Sequence, residues 1–141
     1  MSETEIEALA APNEATIAAI ADGLIAYNLA ASGIPFAPEP LWLVARNHDD
    51  AVIGGIKARV AWGWISVEWL WVHEAWRGRR IGAGLLQRAE AEGRTRGCAG
   101  VVLDTFSFQA PGFYEKQGYV AFGRLEGLPA GHARIHYAKR L

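Results

Sequence analysis

The sequence predicts an α/β or α+β domain built on a mixed β-sheet, in one domain over residues 1–141. Strand-like segments come first, between residues 41 and 72, and glycine-bounded helices then alternate with strands as far as residue 125. Residues 64–72 are apolar at nearly every position, as expected of a central strand covered on both faces. The 141 residues, 51% of them hydrophobic, are enough for one core.

The N-terminal segment predicts a short strand followed by a helix. Residues 4–10 suit the strand, and residues 12–33 suit a helix with Asn13 as its N-cap and Gly33 just past its end. A recurrence at spacings of three and four predicts an apolar face on this helix, formed by Ile17, Ile20, Leu24 and Tyr27. Three prolines between residues 34 and 40 then predict a loop.

The remaining elements follow from turn signals and periodicity. A hairpin is predicted first, because the HDD turn separates two apolar segments. Strands are predicted over residues 41–47, 51–62, 64–72, 100–106, 119–125 and 133–141, and helices over residues 81–96 and 111–117. Pro111 suits the first position of the last helix, and Gly118 its end.

Composition favours an intracellular, soluble protein. The net charge of −1 disfavours a general nucleic-acid or anionic-membrane binder. The single cysteine, Cys98, cannot form an internal disulfide and is expected to be a small core residue. The acidic N-terminus does not resemble a signal peptide, and no apolar run reaches the ~18 residues of a membrane helix. A cytoplasmic location without membrane partners is therefore expected.

The segment WRGRRIGAGLL, residues 76–86, places three arginines and three glycines before an apolar helical pattern. A helix N-terminus has unpaired amides and a partial positive charge, glycines let a phosphate approach the backbone, and arginines can clamp it. Neither a P-loop nor a dinucleotide-binding motif is present. These residues alone are consistent with two interpretations, a phosphate site and a basic turn.

The segment LWVHEAWRGRRIGAGLL, followed about thirty residues later by FYEKQGY, resembles the GCN5-related N-acetyltransferase (GNAT) superfamily. The resemblance covers roughly residues 41–141. It implies the GNAT fold, a central mixed, mostly antiparallel sheet of six to seven strands flanked by about four helices. It also implies direct transfer of an acetyl group from acetyl-coenzyme A (acetyl-CoA) to a primary amine of a small molecule or peptide, without a metal.

The same resemblance implies that the loop and helix bind the pyrophosphate of coenzyme A. In the preferred register Arg80 stands where the family has a glycine, and Gly82 is the glycine of close approach. Ser107 stands where the family has an asparagine, and Ser107 or Gln109 would replace its hydrogen bond. The implied cofactor residues are Leu70, Trp71, Val72, Arg77, Gly78, Arg79, Arg80, Ile81, Gly82, Ala83, Gly84, Ser107, Gln109, Phe113, Tyr114 and Lys116.

Two residues are expected to be catalytic. The resemblance makes Tyr114 the acid that donates to the departing thiolate; the alternative is a core aromatic residue. Glu68 is expected on the face of Leu70 and Val72, where burial would raise its pKa and suit a general base. The alternative for Glu68 is a carboxylate paired with an arginine, and His73 is the weaker candidate for the base.

The acceptor amine is expected to lie across the sheet from the cofactor. Aromatic and acidic side chains suit a cationic amine, and the candidates are Phe36, Trp42, Trp62, Trp64, Glu68, Asp104 and His132. The tryptophans would alternatively fill the core or mark a homodimer interface, and His132 would alternatively be a surface residue.

Two other function classes fit parts of the sequence. A GNAT-fold module could bind acyl-CoA without catalysis, as a sensor or partner. A nucleic-acid-binding domain could use the RGRR segment, although the net charge of −1 disfavours it.

Overall fold

The computed structural model describes residues 3–141, and the chain divides into two units, one ending at Phe36 and one running from Ala37 to Leu141. The first unit contains helix α1, Glu14–Ser32. Its predicted caps are confirmed, because the Asn13 side chain accepts a hydrogen bond from the Thr16 amide (2.8 Å) and Gly33 has a φ of 73°. The predicted strand over residues 4–10 is wrong: this acidic stretch has few strand-forming residues and pairs with no strand.

No residue of α1 is buried, so its predicted apolar face is exposed, with Ile20 at 69% and Tyr27 at 71%. By length and composition, α1 is also the one described helix that could cross a membrane, with a mean hydropathy of 1.3. The expectation that no apolar run reaches the ~18 residues of a membrane helix is therefore wrong for α1. The alanines on both sides of Asp22 keep the mean hydropathy of the helix high despite this charge. Core helices and signal sequences share these properties, so the cellular location stays a prediction.

The second unit contains one six-stranded sheet, two α-helices and a short 3-10 helix. The strands are β1 (Glu39–Arg46), β2 (Val52–Ala61), β3 (Trp64–Val72), β4 (Gly100–Phe106), β5 (Val120–Glu126) and β6 (Ala133–Arg140). The helices are α2 (Ile81–Thr95) and α3 (Pro111–Lys116), and the 3-10 helix is Glu74–Trp76. The strand order is β1-β2-β3-β4-β6-β5, with only β3 and β4 parallel.

The predicted fold class is confirmed, a mixed and mostly antiparallel sheet with helices. Among the described residues, the six strands fall within the expected six to seven, whereas three α-helices are found and about four were expected. Cys98 is buried within the core as predicted.

The core lies on the face of the sheet against which α2 packs. Alternate residues of the strands point into it, and its largest fully buried side chains are those of Ile56, Ile65, Leu86, Val101 and Tyr137. The other face of β3 is not covered, since Trp69 is 62% and Trp71 49% exposed. The expectation that both faces of β3 are buried is therefore wrong.

A β-bulge changes the alternation in the middle of β3. Ala58 of β2 pairs with Val67, but the next residue, Lys57, pairs with Trp69, so Glu68 is the extra residue. The bulge places Glu68 beside Lys57, while Leu70 packs against the core. The predicted common face for Glu68 and Leu70 is wrong, because a strict period of two does not continue through a bulge.

Candidate active site

Strands β3 and β4 separate after four paired positions. Their parallel pairing ends at Val67 and Leu103, so Glu68 and Asp104 are the first residues beyond the last pair. The cleft between them, the strand cavity, has a volume of about 540 Å³. It is lined by Val67, Glu68, Trp69, Leu70, Trp71, Val72, Arg77, Leu103, Asp104, Thr105, Phe108, Gln109, Ala110 and Tyr114.

A second cavity of about 860 Å³, the loop–helix cavity, lies at the N-terminus of α2. It is lined by Leu70, Val72, Trp76, Arg77, Gly78, Arg80, Ile81, Gly82, Ala83, Gly84, Gln87, Ala110, Phe113, Tyr114, Lys116 and Gln117. The two cavities share Leu70, Val72, Arg77, Ala110 and Tyr114. Tyr114 therefore lines both the loop–helix cavity, with its glycines and arginines, and the strand cavity, with its acidic and aromatic side chains.

The N-terminus of α2 begins at a residue in an unusual conformation. Arg80 is the N-cap, and its φ of 62° lies in the left-handed region that favours glycine. No side chain caps the helix here, so its first amides remain available to an anion at this end. Gly82 is closely packed, since an added Cβ would lie 3.4 Å from Phe113 Cζ.

The three arginines of this loop have different surroundings. Arg77 Nε donates to the Val72 carbonyl at 3.1 Å, and the Arg79 guanidinium lies 4.6 Å from the ring centroid of Trp76. The Arg80 side chain forms no hydrogen bond or ion pair with any residue that the structure describes, although its carbonyl accepts from the Gly84 amide at 3.0 Å, and it lines the loop–helix cavity. Among the three, the Arg80 guanidinium is the one with neither a hydrogen bond nor a ring contact to a described residue.

Tyr114 lies on α3 and is buried, with 8% of its surface exposed. Burial, with a smaller contribution from the negative charge of Asp104, raises the pKa of Tyr114 to about 12. The phenol is therefore protonated throughout the physiological pH range. Its ring is packed against Phe113, Tyr119 and Tyr137.

Each carboxylate of the strand cavity is paired with a cation. Glu68 Oε2 lies 2.9 Å from Lys57 Nζ, and Asp104 Oδ2 accepts from Arg134 Nε at 2.7 Å. The Glu68 side chain is 37% exposed, so the expected burial in an apolar strand is wrong, and its partner is a lysine. Lys57 Nζ also lies 4.5 Å from the ring centroid of Trp69, which adds a cation–π contact.

Some predicted residues lie outside the loop–helix cavity. Trp71 and Gln109 line the strand cavity, and the Gln109 side chain accepts hydrogen bonds from Thr105 and the Phe106 amide. Ser107 lines neither: it borders a third cavity beside Pro111, and its Oγ accepts from the Ala133 amide at 2.9 Å. Arg79 likewise lines neither cavity, so the structure separates Ser107 and Arg79 from the other predicted cofactor residues.

The predicted acceptor residues are also dispersed. Glu68 and Asp104 line the strand cavity. Trp64 lies at the opposite end of β3, close enough to Gly100 that an added Cβ there would be 2.5 Å from its ring. His73 is exposed, with its Nδ1 accepting from the Ala75 amide. Phe36 belongs to the N-terminal unit, and its acceptor role stays a prediction.

Other cavity residues were not predicted. Trp69 and Phe108 line the strand cavity, and Trp76 lines the loop–helix cavity. The predicted His132 contacts this group through Phe108, at 5.0 Å between ring centroids. Phe106 and Phe108 closely follow Asp104 in the sequence, and this proximity was the signal that could have placed Phe108 in the same cavity.

Comparison with known proteins identifies the family. Residues 7–119 match the family model described as acetyltransferase (GNAT) family. The chain belongs to this family. A relative from Agrobacterium fabrum, named acetyltransferase Atu2258, is 41% identical over 122 residues, which cover 86% of this chain and 88% of the relative.

Further relatives agree with this result. Blasticidin-S acetyltransferase of Streptomyces morookaense is 42% identical over 79 residues, covering 55% of this chain and 58% of that protein. The crystal structure of an acetyltransferase from Bacillus cereus has a TM-score of 0.86 at 31% identity and covers 96% of this chain and 98% of its own. An aminoglycoside 6′-N-acetyltransferase complexed with coenzyme A shares the fold, with a TM-score of 0.64 at 23% identity, covering 72% of this chain and 73% of that one.

Proposed function

We propose that this GNAT-family acetyltransferase moves an acetyl group from acetyl-CoA directly to a primary amine of a small molecule or peptide. The observation that carries the proposal is the position of Tyr114, which lines both the loop–helix cavity and the strand cavity. A donor in the first cavity and an acceptor in the second would meet beside its hydroxyl. Acetyl-CoA supplies the activated acyl group as a thioester.

The loop–helix cavity has the chemistry that a coenzyme A pyrophosphate requires. Its uncapped helix N-terminus offers backbone amides, and Gly78, Gly82 and Gly84 keep side chains out of the space beside them. Arg80 and Lys116 supply positive charge. The edge of β3 beyond Val67 is not paired with β4, so its peptide groups can hydrogen-bond to the pantetheine arm.

Tyr114 is proposed to stabilise the departing thiolate. A thiol has a pKa of about 8.5, below the value of about 12 for the pKa of Tyr114. Full proton transfer from Tyr114 to the sulfur is therefore unfavourable, and its main contribution is a strong hydrogen bond as negative charge develops. A peptide N–H on β3 is proposed to stabilise the carbonyl oxygen.

Glu68 is proposed as the base that removes the proton from the acceptor ammonium, directly or through water. Glu68 takes one proton from the ammonium and passes it to water, and the free amine then attacks the thioester carbonyl. The new C–N bond forms as the C–S bond breaks, the second proton leaves the nitrogen for Glu68, and the thiolate leaves while hydrogen-bonded to Tyr114. Asp104 and the exposed ring of Trp69 add negative charge and an aromatic surface to the same cavity. These groups favour a cationic amine as the acceptor.

The similarity to blasticidin-S acetyltransferase supports a small molecule as acceptor, although the match spans 55% of this chain. The direct experiment is a screen of amines. Purified protein with acetyl-CoA is tested for thiol release over polyamines, amino acids, aminoglycosides, aminonucleosides and peptides. Isothermal titration with acetyl-CoA is the control: absence of binding at sub-millimolar concentration would contradict the proposal, whereas binding without turnover of any amine would favour a non-catalytic module.

A further inference from the structure

Glu90 is the one buried charged residue among those that the structure describes, with 3% of its surface exposed. It lies on α2, on the core side of the helix. Its Oε2 accepts from the Tyr119 hydroxyl at 3.0 Å and its Oε1 from Lys139 Nζ at 2.8 Å. Both carboxylate oxygens are therefore satisfied within the protein.

A buried ion pair of this kind is poor evidence for stability. Removing two charges from water costs free energy that their attraction only partly returns, and well-packed apolar residues often stabilise a core equally well. The Glu90–Lys139 pair is fully hydrogen-bonded and joins separate elements, which is the arrangement that fixes geometry. The elements that this pair holds together follow from the other contacts of Tyr119 and Lys139.

Arg94, one turn further along α2, also pairs with Glu90, its Nη2 4.0 Å from Oε1. The other two partners of Glu90, Tyr119 and Lys139, continue to α3. Lys139 Nζ also donates to the carbonyl of Gln117, the C-cap of α3, at 2.9 Å. The Tyr119 amide donates to the Tyr114 carbonyl at 3.1 Å, and the two tyrosine rings pack edge to face with centroids 6.1 Å apart. The contacts of Glu90 thus converge on the helix that carries Tyr114.

Helix α3 needs such support because it has six residues. A helix this short is not stable on its own, since it has too few internal hydrogen bonds to offset nucleation. Helix α2, by contrast, has 15 residues and lines the loop–helix cavity with its first two turns. The Glu90 cluster connects the short helix to this longer one.

We propose that Glu90 and Lys139 are positioning residues that hold α3 against α2 and so place the Tyr114 hydroxyl beside the departing sulfur. They touch neither cavity and act through Tyr119 and Gln117 on Tyr114. This inference rests on the proposed function, in which Tyr114 stabilises the thiolate.

The test is a double-mutant cycle on kcat with Glu90→Gln and Tyr114→Phe. Glu90→Gln keeps the size of the side chain and removes the charge that holds Lys139. A misplacement of about 1 Å can lower a rate by up to about 100-fold. We therefore expect kcat to fall about tenfold in the native background and less than twofold in the Tyr114→Phe background, because the residue that it positions has already lost its hydroxyl. The KM for acetyl-CoA should change less than twofold in both.

Glu92→Gln is the matched control. Glu92 lies on the same helix and pairs with Arg88 and Arg96, away from α3, so its substitution should leave kcat unchanged. If Glu90→Gln does not fold, Tyr119→Phe, which removes one hydroxyl from the cluster, takes its place in the same cycle.

An equal loss of kcat in both backgrounds, or no loss in the native one, would overturn the positioning role while leaving the proposed function intact. If Tyr114→Phe alone leaves kcat unchanged, the assignment of Tyr114 itself fails, and the positioning role fails with it. The two failures are thus distinguished by one set of four proteins.

Discussion

The carboxylate of Glu68 lies 2.9 Å from the ammonium group of Lys57, at the bulge where β3 begins to separate from β4. The pair is partly exposed, so it contributes at most about 1 kcal/mol to stability. Its position matters more than its strength, because Glu68 is held at the wall of the strand cavity.

Glu68→Gln should lower kcat by at least tenfold, since loss of a general base typically costs about 10²–10⁴-fold and water can partly replace it. Steady-state kinetics with the best amine from the screen measures this effect. Glu126→Gln is the control, because Glu126 is an exposed carboxylate paired with Arg124 on β5. An unchanged kcat for Glu68→Gln would mean that the carboxylate serves only its ion pair.

Arg80→Gly should stabilise the protein and weaken its binding of acetyl-CoA. A non-glycine residue in the left-handed region costs roughly 1–2 kcal/mol, which glycine avoids. Loss of one charge-assisted phosphate contact weakens binding by about 1.5 kcal/mol, roughly tenfold in Kd. Urea unfolding and isothermal titration measure the two effects.

Arg88→Gly is the matched control for Arg80→Gly, because Arg88 lies inside α2 and outside the loop–helix cavity. There glycine should destabilise the helix by about 1 kcal/mol and leave Kd unchanged. A loss of stability in Arg80→Gly would contradict the conformation described here, and an unchanged Kd would contradict the phosphate contact.

The raised pKa of Tyr114 predicts a loss of stability in alkali. The folded state holds the phenolic proton up to a pKa of about 12, whereas the unfolded chain releases it near the ordinary tyrosine pKa of 10.0. The stabilising contribution is therefore complete below pH 10 and is lost as the pH rises towards 12. The free energy of unfolding should fall across this window by up to about 2–3 kcal/mol more in the native protein than in Tyr114→Phe. An equal decrease of the free energy of unfolding with pH in the two proteins would contradict the raised pKa of Tyr114.

Two tryptophans of β3 should differ in their effect on the acceptor. Trp69 lines the strand cavity, so Trp69→Ala should raise the KM for a cationic amine by up to about tenfold through loss of a cation–π surface. Trp64 packs over Gly100 at the other end of the strand, so Trp64→Ala should reduce stability without changing that KM. A higher amine KM for Trp64→Ala alone would reverse this assignment.

Much of the fold could be predicted because local patterns determine it. Glycines and periodicity mark the ends of β3, β4 and α2 in the sequence, and the structure agrees to within one residue. The bulge at Glu68 could not be predicted, since it depends on how β2 pairs with β3 and leaves no pattern in β3 itself. The sequence therefore placed Glu68 on the wrong face.

In the candidate site, too, residues that are adjacent in the sequence were predicted and residues brought together by long-range pairing were missed. The loop–helix residues are adjacent in the sequence, so one motif identifies most of that cavity. The strand cavity depends on the separation of β3 from β4 and on the β6 residue that reaches Asp104, Arg134. Those are long-range relationships, and Trp69 and Phe108 were missed for that reason.

The role of Tyr114 in acetyl transfer is best measured by comparing Tyr114→Phe with the native enzyme, because Tyr114 is where the two cavities meet. Substitution by phenylalanine removes one hydroxyl and keeps the ring packing against Tyr119 and Tyr137. We expect kcat for acetyl transfer to fall by about 10²-fold or more while the Kd for acetyl-CoA changes less than twofold. An unchanged kcat with intact acetyl-CoA binding would contradict this role.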